Sequence, residues 1–499
     1  IMQAIHGMGV GMRMYASNGN ACDVSIPEII RYWGDDEDTK VIILYVESLT
    51  DIKEFMDVAN EVTKKKPILA MRGGRSELGA IASASHTGGL AGNIAIDLIF
   101  KKTGILAFTD EEELCHAAMA FASQPIPKGN RVGMITNTGG PAIVATDELA
   151  NAGLVMPPLS DKAKEVLKET MFPAASINNP LDVVATAGAP QFRSALDVMM
   201  DEDDIDSVFI TFVTAPFVDC ESVAREFAEV NKQNKKPIIC NYITDKSQWV
   251  KTSEILKEGG IPCYSFPETA AKALNALTRY NELCSRETGE VRKFDDVDRV
   301  TAENIIINAK ELNREVLSAK EVYGILSPYG IPIADWQVAG STNEAEKAAV
   351  EIGFPVVVKA DSEAIDHKSD MGGVKVNLKD SHAVQTVLEE MKKKLGAENN
   401  LGFFIQKYHP GGMELVIGAK AESGLGHLVM FGLGGIYIEI LKDVVFNLSP
   451  VTNVEAREML SSIKAAPLLK GVRGEKGIYE EGVIEIIQRL SQLVTELPA

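Results

Sequence analysis

Twice in this chain a short apolar run, a helical stretch, the tripeptide Lys-Lys-Pro and a second apolar run follow one another. The first copy is Val41-Ile42-Ile43-Leu44-Tyr45, a helical pattern over 51–63, and Lys65-Lys66-Pro67 leading into Ile68-Leu69-Ala70-Met71. The second is Ser207-Val208-Phe209-Ile210-Thr211-Phe212, a helical pattern over 221–231, and Lys235-Lys236-Pro237 leading into Ile238-Ile239-Cys240. Strands of this kind alternating with helices imply βαβ units and mainly parallel sheets. Any two such units look alike; the shared Lys-Lys-Pro is what favours a true repeat. Two doubly wound, flavodoxin-like α/β domains are expected over 1–123 and 128–290, joined by the Pro/Gly-rich stretch Gln124-Pro125-Ile126-Pro127-Lys128-Gly129-Asn130.

A charged joint, 285–299, precedes a third region, 303–499. There the strands alternate more widely, as in Val374-Lys375-Val376-Asn377-Leu378 and Glu414-Leu415-Val416-Ile417-Gly418. This predicts antiparallel sheets with helices on one face, an α+β layout. Three domains suit a chain of 499 residues.

The formal net charge of -20 argues against binding nucleic acid through phosphate neutralisation, though not against small anions held by local N–H groups or lysines. Six scattered cysteines without a CxxC pair read as reduced thiols of a cytoplasmic protein. No apolar run approaches the ~20 residues of a membrane span. The opening Ile1-Met2-Gln3-Ala4-Ile5 and the uncapped helical pattern at the end suggest truncation at both ends.

Chemistry concentrates around one histidine. Ser83-Ala84-Ser85-His86-Thr87-Gly88-Gly89-Leu90-Ala91-Gly92-Asn93 is rich in small residues and precedes a helical run, 94–100. Orphan N–H groups at a helix start, and the positive end of its dipole, bind phosphate. Neutral imidazole is a nucleophile toward phosphorus, and its ordinary pKa of about 6.5 leaves much of it neutral at pH 7. A plain loop with an incidental histidine is the competing reading. Glu47 falls just past a strand end, where it could orient the second ring N–H of His86; a solvated loop glutamate is the alternative. Thr136-Asn137-Thr138-Gly139-Gly140-Pro141 lies between a strand and a helical run expected from Ala142, with proline at the first helical position. It reads as a second phosphate turn, or as an ordinary βα turn.

In the third region, Lys359 closes the buried strand Phe354-Pro355-Val356-Val357-Val358-Lys359, where it could neutralise nucleotide phosphates. The polar loop from Asp366 to Val374 carries His367. Phe404-Ile405-Gln406-Lys407-Tyr408 is a candidate for the strand that meets an adenine edge. Glu439 and Asp443, four apart, either face a metal or pair with lysines.

Together these segments resemble the NDP-forming (ADP-forming) acyl-CoA synthetases, relatives of succinyl-CoA synthetase. The stretch around His86 is similar to the family's phosphohistidine loop, and Tyr45-Val46-Glu47 to its histidine-orienting segment. Thr136 to Pro141 and Asn179-Pro180-Leu181-Asp182 resemble its middle-domain signatures, and Lys359, the His367 loop and 431–443 its ATP-grasp half. The resemblance implies His86, Glu47 and His367 as catalytic residues. It also implies Ser85, Thr87, Gly88, Thr138, Gly139 and Gly140 as phosphate-binding, and Lys359, Gln406, Lys407, Tyr408 and Glu414 as nucleotide-binding. Mg2+, ATP or ADP, and CoA as a substrate are implied, with carboxylic acid and phosphate as further substrates and a homo-oligomer as the assembly. The chain departs from the family in starting after the usual CoA-binding Rossmann domain. It also ends near the usual Asp-x-Asn-Pro segment and carries Asn447 where arginine is usual. The synthetase-like body of a protein acetyltransferase, a silent acyl-CoA sensor and an unrelated ATP-grasp ligase are the rival readings.

Overall fold

The computed structural model describes residues 1–499 apart from 20, 22, 50, 75–92, 246, 362–371, 396–400, 423, 436–442, 473, 475 and 498–499, and apart from the side chains of 93–95. The described residues form two compact units, Ile1–Arg286 and Glu287–Ala499.

The first unit holds two sheets. In one, β1 (Ile42–Val46), β2 (Ile68–Arg72) and β3 (Leu106–Phe108) lie parallel in that order. The other contains β4 (Val132–Thr136), β5 (Ser176–Ile177), β6 (Leu181–Asp182), β7 (Ser207–Val213), β8 (Ile238–Ile243) and β9 (Cys263–Tyr264). Its order is β5-β6-β4-β7-β8-β9, parallel except for the antiparallel pair β5 and β6. β4 is buried along its whole length, as a strand covered on both faces must be.

The Lys-Lys-Pro repeat has a structural meaning. In both copies the lysine before the proline ties down the C-terminal end of the helix that precedes the first strand of the copy. Lys66 Nζ donates to the carbonyls of Trp33 (3.1 Å) and Asp36, at the end of the helix Ile26–Asp35. Lys236 Nζ donates to those of Met199 (2.8 Å) and Glu202 (2.6 Å), at the end of the helix Ala189–Asp201. A cation suits a helix C-terminus, where orphan carbonyls and the negative dipole end meet. Burial holds Lys236 at a pKa of about 8.

The two sheets share one interior. Leu69, Leu106 and Phe108 from the first sheet, Val132 and Met134 from the second, and Leu274 and Leu277 of the helix Pro267–Ser285 belong to the same buried cluster. Phe121 meets Tyr280 edge-on at 5.7 Å. The Tyr264 hydroxyl donates to His116 O (3.0 Å), and the Tyr280 hydroxyl to Thr63 O (2.8 Å). The Gln124–Asn130 joint is stitched down as well. The Gln124 amide oxygen accepts from Ile238 N, and its nitrogen donates to Gly260 O, both at 2.7 Å. On the far side of the second sheet, Phe192, Phe212 and Phe227 pack mutually edge-on at 5.3–5.5 Å.

The second unit has two antiparallel sheets. Its strands are β10 (Trp336–Ala339), β11 (Val356–Asp361), β12 (Val374–Leu378), β13 (Gly402–Lys407), β14 (Leu415–Glu422), β15 (Gly426–Leu433) and β16 (Val444–Leu448). The first sheet runs β10-β13-β11-β12 and the second β14-β15-β16. Val356, Val358, Ala360, Phe403 and Ile405 bury one face of the first sheet together with residues of the helices Thr342–Ile352 and Ser381–Leu395. Helices are not confined to that face: Ala319–Leu326 brings Tyr323 onto the other one. The helices Asn453–Ser462 and Glu480–Glu496 cover the second sheet. The described cysteines Cys115, Cys220, Cys240, Cys263 and Cys284 are free thiols, and no described helix is long and apolar enough to cross a membrane.

Candidate active site

Glu47 follows β1, and the register Val46↔Arg72 places it beside the end of β2. The Gly73 N–H continues the pairing by donating to Val46 O (3.0 Å). A Cβ on Gly73 would fall 3.3 Å from Glu47 Cγ and 2.7 Å from the Tyr45 hydroxyl, so the chain leaving β2 grazes both side chains. Burial, and then the nearby Glu47 carboxylate, push the Tyr45 phenol above its usual range. Arg72, only 6% exposed at the end of β2, lies 3.8 Å from Asp97 on the helix Asn93–Thr103. Ser85, His86, Thr87 and Gly88 lie outside the described residues, in the stretch that joins Gly74 to this helix. The site therefore occupies the C-terminal edge of a parallel sheet, where ligands of such sheets gather. Glu47, Tyr45 and Ser48 also line a cavity of about 960 Å³, together with Arg13, Lys40 and Lys257.

The second glycine turn is built from both ends. Thr138 N–H donates to Thr136 Oγ1 (3.0 Å), whose hydroxyl donates to Thr138 O (2.6 Å). The Asn137 amide pairs in both directions with the main chain of Val213, each bond 2.9 Å. The helix starts at Gly139, not at Ala142, and runs to Asn151. With Thr138 fixed as the N-cap, the two glycines form its first turn. Pro141 sits in the third helical position, where its missing N–H costs nothing because first-turn N–H groups have no acceptor within the helix. A Cβ at Gly139 or Gly140 would meet nothing within 4 Å, so this helix start is open. It also sits at the end of β4, from which the chain leaves first toward β6 and later toward β7, the reversal point of the sheet.

In the second unit, strand alternation puts Lys359, Phe404, Gln406 and Trp336 on one face of the sheet, since Lys359 pairs with Phe404 and Trp336 with Gln406. Lys359 Nζ donates to Gln406 Oε1 (3.0 Å), and Gln406 Nε2 donates to the Tyr323 hydroxyl (3.1 Å). The rings of Tyr323, Trp336 and Phe404 stack with centroids 5.2–5.6 Å apart. Sequence reasoning named Phe404 but missed Tyr323 and Trp336. The register of a strand about 70 residues away brings Trp336 to it, and the helix Ala319–Leu326 brings Tyr323.

Lys407 is on the opposite face; its Nζ donates to the carbonyls of Gly353 (2.7 Å) and Phe354 (2.9 Å). Tyr408 N–H donates to Pro355 O (3.0 Å). Glu414 precedes β14, and its carbonyl accepts from Gly434 N–H (2.8 Å). Asp443 is 7% exposed, and its two carboxylate oxygens accept from the N–H groups of Lys464 and Ala465, each at 2.8 Å. Glu439 and His367 lie outside the described residues. Among the described residues no cluster of three metal-ligating side chains occurs. Asn447 sits in β16, its Oδ1 accepting from Leu448 N–H (2.8 Å).

Residues 1–121 match the succinyl-CoA ligase like flavodoxin domain, and residues 308–499 an ATP-grasp domain. The 4-hydroxybutyrate–CoA ligase (ADP-forming) of Nitrosopumilus maritimus is 36% identical over 99% of this chain and 72% of its own length. The chain belongs to the ADP-forming acyl-CoA ligases. Within this family of acid–thiol ligases, the acetate–CoA ligase (ADP-forming) I of Archaeoglobus fulgidus is 32% identical over 98% of the chain and 71% of its own length. Among solved structures, the acetyl-coenzyme A synthetase 1 of Ca. Korarchaeum cryptofilum in complex with phosphate and ADP matches with a TM-score of 0.51 and 29% identity. That match covers 54% of this chain and 59% of the other. The fold of this ligase is accordingly two flavodoxin-like parallel-sheet layers followed by an ATP-grasp domain.

Proposed function

We propose that this ligase interconverts acyl-CoA, phosphate and ADP with a carboxylic acid, CoA and ATP through a phosphohistidine at His86. Phosphate oxygen attacks the thioester carbonyl and expels CoA as thiolate, leaving an acyl phosphate. The neutral His86 imidazole attacks its phosphorus, and the P–O bond breaks to release the carboxylate. ADP then takes the phosphoryl group from the ring nitrogen. Positioning and charge neutralisation carry most of such a transfer. Glu47 accepts the second ring N–H, fixing the tautomer and stabilising the charged phosphoimidazole. Ser85, Thr87, Gly88 and the open helix start at Thr138-Gly139-Gly140 hold the phosphoryl oxygens.

The observation that carries this reading is the approach of Gly73 to Glu47, which sets a carboxylate beside the point where the chain departs toward His86. In the second unit, Lys359 neutralises nucleotide phosphate, the segment from Gln406 through Lys407 to Tyr408 meets the adenine, Glu414 completes the nucleotide site, and His367 relays the phosphoryl group. Magnesium would accompany the nucleotide as its counter-ion. We further propose the domain limits 1–123, 128–290 and 303–499, a cytoplasmic location and a homo-oligomeric assembly.

The test is incubation with ATP labelled at the γ-phosphate plus magnesium. The peptide containing residue 86 should carry an acid-labile, base-stable label in the wild type and none in His86→Ala, whatever label His367 holds. An unlabelled residue-86 peptide in the wild type, or a labelled one in the variant, would overturn the phosphohistidine.

A further inference from the structure

We propose that Tyr323 is a positioning residue of the nucleotide site, holding the Lys359 ammonium in place through Gln406. This rests on the proposal that Lys359 meets nucleotide phosphate.

The directions of the hydrogen bonds leave little freedom. A lysine ammonium only donates, so the Gln406 oxygen faces Lys359. The Gln406 NH2 must then face away from it, and Tyr323 receives that group on its hydroxyl oxygen at 3.1 Å. The chain Lys359–Gln406–Tyr323 is thus ordered end to end, with bonds of 3.0 and 3.1 Å. The same tyrosine braces the site a second way. Its ring stacks on Phe404 with centroids 5.2 Å apart, and the Lys359 ammonium lies 5.8 Å from the Phe404 ring centroid. A lysine side chain loses much rotamer freedom when a ligand orders it, and that loss weakens binding. A side chain ordered beforehand escapes most of the loss.

Tyr323→Phe keeps the ring and removes only the oxygen that fixes Gln406. In the full chain the KM for ADP should rise about three- to tenfold, the worth of one lost hydrogen bond. kcat, the KM for acyl-CoA and the melting temperature should stay near wild type. A merely structural role for the hydroxyl would instead lower the melting temperature and leave the ADP KM unmoved. Lys359→Met reports on the underlying site and should raise the ADP KM further than Tyr323→Phe does. An ADP KM within twofold of wild type in Tyr323→Phe, while Lys359→Met raises it, overturns the positioning role alone. An unchanged ADP KM in Lys359→Met overturns the nucleotide reading and the role of Tyr323 with it.

Discussion

Asn179 completes the hydrogen bonding of a strand it does not belong to. Its amide oxygen accepts from Met134 N–H (2.9 Å), and its amide nitrogen donates to Val132 O (2.8 Å) and to Pro157 O (2.9 Å). Three main-chain groups depend on it, two of them in the buried strand β4. Asn179→Leu, which keeps the branching at Cγ, should therefore lower unfolding stability by about 2–4 kcal/mol, since unpaired buried polar groups cost about 1–3 kcal/mol each. Urea unfolding of the variant and wild type checks this. A loss below about 0.5 kcal/mol would mean that water takes over the vacated bonds.

Glu321 makes the second unit sensitive to acid. The Arg314 guanidinium above all, helped by the N–H and hydroxyl of Ser318, holds its carboxyl down to about 2 from an ordinary 4.5. A carboxyl with a depressed folded pKa stabilises fully above its unfolded pKa. That contribution is lost as pH falls from 4.5 toward 2. Glu321→Gln should be less stable than wild type at neutral pH, and the gap should close across this window. Parallel urea titrations at pH 2–7 measure the gap; a constant difference would refute the assignment.

Asp443 acts as a main-chain anchor. Asp443→Ala leaves the N–H groups of Lys464 and Ala465 without their acceptors and should cost about 1–3 kcal/mol. The magnesium concentration giving half-maximal activity should not move. A shifted magnesium requirement at unchanged stability would return this carboxylate to the metal.

Gly73→Ala tests the root of the histidine loop. The new methyl group would press on the tip of Tyr45 and on Glu47 Cγ. Tyr45 is 56% exposed and free to turn outward, so the melting temperature should change by no more than a few degrees. The yield of phosphorylated enzyme should fall several-fold as Glu47 is displaced. Wild-type labelling would show that the Glu47 position does not matter to His86.

Much of this was legible because period and punctuation carry over directly into backbone. The runs at 41–45 and 207–212 became β1 and β7 nearly residue for residue; β7 is buried on both faces and reads as the unbroken apolar stretch such parallel strands show, while β1 lies at a sheet edge with Tyr45 exposed. Lys-Lys-Pro repeats in structure because both copies need a cation at a helix end. The start of the helix at Gly139 was not legible, because a hydroxyl three residues earlier, on Thr136, sets its cap. Nor were the roles of Asn179, Asp443 and Tyr323, whose partners lie 20 to 80 positions away. Local pattern carries no record of what a fold brings together across such gaps.

The single interior beneath the first two sheets limits what can be exchanged between relatives. A chimaera that replaced 1–121 alone would set a foreign surface against Tyr264, Leu274 and Tyr280, all shaped around the original. Grafts cut near 286 leave that interior whole, so recombinants joined there should fold where those joined at 121–130 do not.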